Sequence, residues 1–119
     1  MAIKVCNAFS LNMLATSAAN ISVQETTAAD AAYLIHKNGG PESCVGHADT
    51  AKIFGQQLLT EIPVARVTVQ FTHDEFIVVG QYSGPRLPEG ASVLPEGATI
   101  KWYVVHVSVP ESVEETALD

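Results

Sequence analysis

Short stretches of the chain alternate between apolar and polar residues, which is the pattern of a half-buried β-strand. In residues 64–71, for example, Val67, Val69 and Phe71 share one face, which we expect to be buried, while Arg66 lies on the other. The turn that follows predicts a hairpin between this stretch and the next. In all, the pattern predicts strands at residues 3–6, 20–25, 64–71, 75–82 and 100–109.

Between the second and third of these predicted strands, apolar residues recur at the spacing of a helix instead. Residues 28–37 follow Thr27, a good N-cap residue, and a loop at residues 41–46 leads to a second helix at about residues 47–59. Residues 11–14 allow a short third helix. Strand–helix alternation early in the chain and a meander late predict an α/β fold, with a mixed sheet of about five strands flanked by two or three helices.

Length and composition are those of one globular domain. The chain has 119 residues, of which 47% are apolar and 16% charged. We expect a single domain over residues 1–109 and a flexible acidic tail over residues 110–119. The pattern predicts neither a signal peptide nor a transmembrane helix, and therefore a cytoplasmic protein without a membrane partner.

The net charge of −7 limits the kinds of partner, since thirteen acidic residues face six basic ones. A protein that grips DNA or long RNA needs a basic stripe, so neither is an expected partner. A small anionic ligand in a locally positive pocket remains compatible with this charge. The four histidines and two cysteines have no metal-ligand spacing, so we expect no metal, and Cys6 and Cys44 are expected to be reduced thiols.

Polar residues follow the first predicted strand directly. Asn7, Ser10 and Asn12 come after residues 3–6, and ligands of open α/β sheets bind beyond the strand ends, near helix N-termini. The alternative is that these side chains only satisfy hydrogen bonds of a turn or a helix cap.

His47 is the residue that we consider most able to do chemistry. It follows Gly46 at the start of the second predicted helix, where free backbone N–H groups favour an anion and where histidine can donate a proton near neutral pH. We expect Asp49, in the same turn, to face the helix dipole and solvent. The alternative for a lone histidine is an exposed or capping role.

A third candidate site lies on the proline- and glycine-rich loop before the last strand. Arg86 suits a phosphate, because guanidinium binds it through two parallel hydrogen bonds, and Glu89 is three residues further on. The alternative is a surface arginine paired with Glu89. The loop also carries Leu-Pro-Glu-Gly-Ala twice, which two successive turns would explain.

These three segments, in this order and at this spacing, resemble the viral ring nucleases, the type III anti-CRISPR proteins of archaeal viruses and bacterial phages, which also have cellular and plasmid relatives. The resemblance covers residues 3–108. The residues that carry it are Asn-Ala-Phe-Ser-Leu-Asn-Met-Leu at 7–14, Gly-His at 46–47 and Arg-Leu-Pro-Glu-Gly at 86–90.

The resemblance implies a homodimer that encloses one cyclic tetra-adenylate and needs no metal or other cofactor. A ribose 2′-hydroxyl attacks the adjacent phosphorus, and the products are linear di-adenylates that end in a 2′,3′-cyclic phosphate. This reaction would switch off type III CRISPR signalling, in the cytoplasm of the host cell if a virus encodes the chain.

The resemblance also implies a role for individual residues. His47 would be the general acid, Arg86, reaching the ligand from the partner chain, would stabilise charge on the phosphate, and Glu89 would orient or deprotonate the 2′-hydroxyl. The expected ligand contacts are Asn7, Ser10, Asn12, Thr50, Arg66 and Gln81.

Two other functions compete with a ring nuclease. A protein that only sequesters the cyclic nucleotide would not need His47 and Glu89, and both are present. A dimeric DNA-binding regulator is disfavoured by the net charge and by the lack of a helix-turn-helix pattern.

Overall fold

One mixed β-sheet organises the computed structural model, which describes residues 2–110. Its strands are β1 (Ile3–Cys6), β2 (Asn20–Thr26), β3 (Pro41–Ser43), β4 (Glu75–Ser83) and β5 (Thr99–Ser108). They lie in the order β2-β5-β4-β1-β3. β1 is parallel to both β3 and β4, whereas β5 is antiparallel to β2 and β4. The predicted α/β fold with a five-stranded mixed sheet is therefore confirmed.

Two α-helices pack on one face of this sheet. α1 (Ala28–Lys37) has the predicted bounds, and Thr27 caps it by accepting a hydrogen bond from the backbone N–H of Asp30 at 3.1 Å. α2 (Ala48–Leu58) ends at Leu59, whose φ of 55° is left-handed. The short third helix is a single 3₁₀ turn (Leu11–Met13). None of the helices between residues 2 and 110 has the length and apolar character that a membrane span requires.

The predicted strand at residues 64–71 is wrong, and so is its hairpin with the following strand. Both edges of β4 are already paired, with β1 and β5, so no edge remains for a hairpin partner. Residues 64–71 instead cross the sheet face opposite the helices, and only Phe71 forms a bridge, with Leu14. Phe71 is buried as expected, but Val67 is 56% exposed.

The fifth strand is β3, within the stretch predicted to be a loop. It has three residues, too few to show an alternating pattern, and it begins with Pro41. Proline is tolerated at the first position of an edge strand, where its missing N–H breaks no ladder. The expected flexible tail lies outside the described residues, apart from Pro110.

Side chains from the two sheet faces form two separate apolar cores. The first lies under the helices and the second under residues 7–19 and 64–71. The helix-side core includes Ile3, Val5, Ala31, Ile35, Phe54, Leu58, Val78 and Trp102. The opposite core includes Cys6, Val69, Phe71, Ile77, Val79, Val105 and Val107. Because β1 and β4 are packed on both faces of the sheet, the ends of these strands are fixed positions on which a site can be built.

Candidate functional site

The carboxyl ends of β1, β3 and β4 meet at one edge of the sheet. Val5 is in register with Ser43, and Cys6 with Val79, so the residues that follow β1 and β3 lie beside the last residues of β4. This edge of a parallel arrangement is where α/β proteins place their ligands. The residues at this edge include Asn7, the segment 44–47 and residues 81–83.

His47 occupies the N-cap position of α2. Its backbone is extended, with φ −116° and ψ 126°, and its carbonyl accepts the first helical hydrogen bond, from Ala51 at 2.9 Å. Its imidazole makes no capping bond to the helix, and the residue is exposed. The side chain therefore does not cap the helix, but it is exposed, as the alternative for a lone histidine expected, and the ring is available at the open end of α2.

A cleft of about 600 Å³ brings His47 together with the other two residues of the expected catalytic set, all from the same chain, whereas we expected Arg86 to come from the partner chain. Arg86 and Glu89 line it from the loop after β4, and Thr50 lines it from the first turn of α2. Three groups that can donate a proton, bind a phosphate and accept a proton thus border one space. Four of the nine sequence-predicted site residues belong to this cleft.

Three further residues line the cleft. Asp49, which we expected to face solvent, borders it beside His47. Tyr82 and Leu87 were not predicted as site residues. The sequence does give a reason to consider Tyr82. It ends a predicted strand, where a tyrosine can present its hydroxyl group at the edge of the sheet.

The loop that carries Arg86 and Glu89 is shaped by its turns. The Tyr82 hydroxyl donates a hydrogen bond to the carbonyl of Pro85, which ties the start of the loop to the end of β4. The two copies of Leu-Pro-Glu-Gly-Ala each close a turn, with Ala91 N–H donating to Pro88 O and Ala98 N–H to Pro95 O, both at 3.1 Å. The glycines of these turns have φ of 80° and 83°, which suits glycine. The expected pair of turns is confirmed.

Arg66 lies beside the cleft rather than in its lining. Its Nε donates a hydrogen bond to the carbonyl of Gly46 at 3.0 Å, so it braces the peptide that precedes His47. The contact is close, because a Cβ on Gly46 would lie 3.2 Å from Cγ of Arg66. One hydrogen bond uses one of five guanidinium donors, and the others can still reach an anion.

The remaining predicted contacts do not line this cleft. Ser10 caps the 3₁₀ turn, accepting from the Asn12 N–H at 3.2 Å, which is the structural role given above as the alternative. Asn7 follows β1 and is exposed. Gln81 lies on the other sheet face, in a shallow pocket of about 230 Å³ with Phe9 and Tyr103. Within residues 2–110, no three His, Cys, Asp or Glu side chains are placed to hold a metal ion.

Comparison with known proteins gives a family and a fold. Among solved structures, B116 of Sulfolobus turreted icosahedral virus (STIV) superposes with a TM-score of 0.68 at 24% identity, over 88% of this chain and 98% of that one. No curated protein sequence matches the chain. A family model described as STIV B116-like matches residues 3–99, which include β1 to β4, both α-helices, the three candidate segments and the first residue of β5. The chain therefore belongs to the STIV B116-like family.

Proposed function

We propose that this protein is a metal-independent ring nuclease, which binds cyclic tetra-adenylate between two copies of the chain and cleaves it to linear di-adenylates. The observation that carries the proposal is the cleft that His47, Arg86 and Glu89 share at the carboxyl edge of the sheet. The type III anti-CRISPR resemblance of the three segments supplies the substrate. The reaction would take place in the cytoplasm, that of the host cell if a virus encodes the chain.

The three side chains match the needs of an internal phosphoryl transfer. Glu89 accepts or orients the proton of a ribose 2′-hydroxyl, whose oxygen bonds to the adjacent phosphorus. The bond from phosphorus to the 5′-oxygen breaks, and His47 donates a proton to that oxygen as it leaves. Arg86 stabilises the negative charge that develops on the phosphate. The nucleophile belongs to the substrate, so the protein needs only to orient and protonate.

The start of α2 adds to the attraction for phosphate. Thr50 lies in its first turn, where backbone N–H groups are free and the helix dipole is positive. Asp49, which also lines the cleft, opposes this attraction, so the positive end of the helix offsets only part of the negative charge near a bound phosphate.

Symmetry favours a dimer as the active form. One cleft of about 600 Å³ has the size of a site for a drug-sized ligand, whereas a ring of four adenylates is larger. A homodimer would place two clefts around a ring that is itself two-fold symmetric. Two cuts at opposite phosphates give two di-adenylates, which is the expected product. The dimer also doubles Arg66 and Arg86 around one ligand.

The deciding experiment incubates purified protein with cyclic tetra-adenylate in EDTA and measures both binding and products. We expect tight binding, and linear di-adenylate whose mass and phosphatase resistance identify a 2′,3′-cyclic phosphate. Linear tetra-adenylate serves as the control ligand. Binding without cleavage would instead indicate a sequestering protein, and failure to bind any cyclic oligoadenylate would refute the proposal. A parallel assay with duplex DNA tests the regulator alternative.

A further inference from the structure

Cys6 and Cys44 are far apart in the sequence but adjacent in the sheet. Cys6 ends β1 and Cys44 follows β3, and the register of Val5 with Ser43 puts the two cysteines side by side. The hydrogen-bonded ladder between β1 and β3 continues as far as the two cysteines, because the N–H of Cys44 donates to the carbonyl of Val5 at 2.9 Å. Both side chains belong to the core opposite the helices, so they share one face, and both are free thiols.

This placement suits a disulfide. Neighbouring strands lie about 4.8 Å apart, which is within the usual range of Cα separations across a disulfide. Residues side by side on the same face of neighbouring strands also direct their Cβ atoms the same way. A disulfide also needs Cβ atoms about 3.5–4.5 Å apart, so the two strand ends must draw together for the bond to form.

The two thiols are not equivalent. Cys6 is 1% exposed, whereas Cys44 is partly exposed to solvent. Proximity to the Cys6 side chain lowers the pKa of Cys44, and nearby Lys4 acts in the same direction, against burial and the charges of Glu42 and Glu75. The same contact, together with burial, raises the pKa of Cys6. A partly exposed thiol with a lowered pKa, next to a buried one, has the arrangement of a reactive cysteine and its resolving cysteine.

We propose that Cys6 and Cys44 form a redox site at which a hydroperoxide converts the two thiols to a disulfide. The Cys44 thiolate attacks a peroxide oxygen, the O–O bond breaks, and Cys44 becomes a sulfenic acid while water leaves. The Cys6 sulfur then displaces the hydroxyl of that sulfenic acid, the S–S bond forms, and the Cys6 proton leaves with the hydroxyl as a second water. Two thiols lose two electrons and two protons, and hydrogen peroxide is reduced to two waters.

The position of the pair gives the oxidation a consequence for the cleft. Cys44 is separated from His47 only by Val45, which is buried, and Gly46, which Arg66 holds. Drawing Cys44 towards β1 shifts this short segment and with it the start of α2. A displacement of about 1 Å at a catalytic group can cost up to about 10²-fold in rate. This consequence, unlike the redox site itself, rests on the proposed function.

The test treats the full chain with equimolar hydrogen peroxide and measures its intact mass, its free thiols and a peptide map. We expect the loss of two hydrogen atoms in mass and a peptide that links residues 6 and 44. Cys6→Ala should accumulate a sulfenic acid at Cys44 that dimedone traps, and Cys44→Ser should show neither product. Unreacted thiols, trapping at Cys6 instead, or only bonds between two chains would overturn the proposal.

The same samples separate the redox site from its effect on catalysis. We expect oxidised protein to cleave cyclic tetra-adenylate about 10- to 10²-fold more slowly, dithiothreitol to restore the rate, and Cys44→Ser to be insensitive to peroxide. Disulfide formation in a protein whose reduced form does not cleave would refute the proposed function and leave the redox site in place. Disulfide formation with an unchanged rate would refute only the regulatory effect.

Discussion

The Nε of Arg66 donates a hydrogen bond to the carbonyl of Gly46, 3.0 Å away, and so fixes the peptide group that precedes His47. Lysine keeps the positive charge at this position but does not reproduce the guanidinium fork. We therefore expect Arg66→Lys to lower kcat on cyclic tetra-adenylate about tenfold, by misplacing His47, and to change KM little. Steady-state kinetics measures the two separately.

A change confined to KM in this variant would contradict the bracing role. It would place Arg66 among the phosphate ligands instead. Arg66→Ala is the matched variant, because it removes both the brace and the charge. We expect that variant alone to weaken the salt dependence of ligand binding.

His47→Ala tests the proton donor directly. Removing a general acid typically costs 10²–10⁴-fold in rate, so we expect a loss of about that size in single-turnover cleavage. The dissociation constant should stay within a few-fold, because the proposed phosphate contacts of Arg86 and of the start of α2 would remain. His36→Ala is the control, since His36 is exposed near the end of α1 and does not line the cleft. Full activity in His47→Ala would remove this residue from the mechanism.

Gly80 is required by close packing rather than by backbone conformation. It lies in β4, where a Cβ would come within 2.6 Å of Cζ of Phe54 and 2.7 Å of Cζ3 of Trp102. Those two rings already pack edge to face, with centroids 4.8 Å apart. We expect Gly80→Ala to lower the free energy of unfolding by about 1–3 kcal/mol.

Urea denaturation followed by fluorescence measures this loss, since Trp102 is the single tryptophan of the chain. Ser22→Ala, on the exposed strand β2, serves as the control and should change stability by less than about 0.5 kcal/mol. An unchanged midpoint in Gly80→Ala would mean that the two rings move apart without cost.

The Lys4–Glu75 ion pair should make the free energy of unfolding depend on pH in the alkaline range. Burial opposes the charge of Lys4, but the hydrogen bond and charge of Glu75, helped by Glu42, outweigh it and raise the pKa of Lys4. A raised pKa in the folded state contributes stability that is present below the unfolded value, about 10.4, and is lost as the pH rises through the folded value.

Glu75→Gln should therefore cost about 1–2 kcal/mol at neutral pH, since both side chains are about one-fifth exposed. The difference from the wild type should shrink above about pH 10.4. Denaturation at a series of pH values measures it, with Glu61→Gln, an exposed position, as the control. A difference that is constant up to pH 11 would contradict the raised pKa.

Local patterns predicted those parts of the fold that depend on local contacts. α1 was predicted to the residue, because its cap, its apolar spacing and its terminating glycines all lie within the segment. Residues 64–71 have an equally clear strand pattern, yet whether they pair depends on which strands flank β4. That choice is made by β1 and β5, from the two ends of the sequence, and no window around residues 64–71 contains the information.

The candidate site, like the fold, could be predicted from the sequence only in part. His47, Arg86 and Glu89 share a cleft because His47 follows β3 while Arg86 and Glu89 follow β4, and these two strands end on the same side of the sheet. The sequence grouped the three residues only through the family resemblance, since the strand order was not predicted. Gln81 was expected to contact the ligand but neighbours Tyr82 on a strand, and adjacent strand residues face opposite sides. Because Tyr82 lines the cleft, Gln81 has to lie on the other face. The adjacency of Cys6 and Cys44 could not be predicted, because it depends on β3, which the sequence pattern did not indicate.

The interior position of β1, between β4 and β3, also determines when the cleft can appear during folding. β1 cannot pair with β4 until a long loop has closed, one that contains β2, both helices and β3. Closure of such loops costs chain entropy before the contacts that repay it are made, and topologies dominated by distant pairs fold in milliseconds to seconds rather than microseconds. A nascent chain that has emerged only through α2 already holds His47 but has no partner for β1 on the β4 side. His47, Arg86 and Glu89 therefore come together only after β4 has joined the sheet.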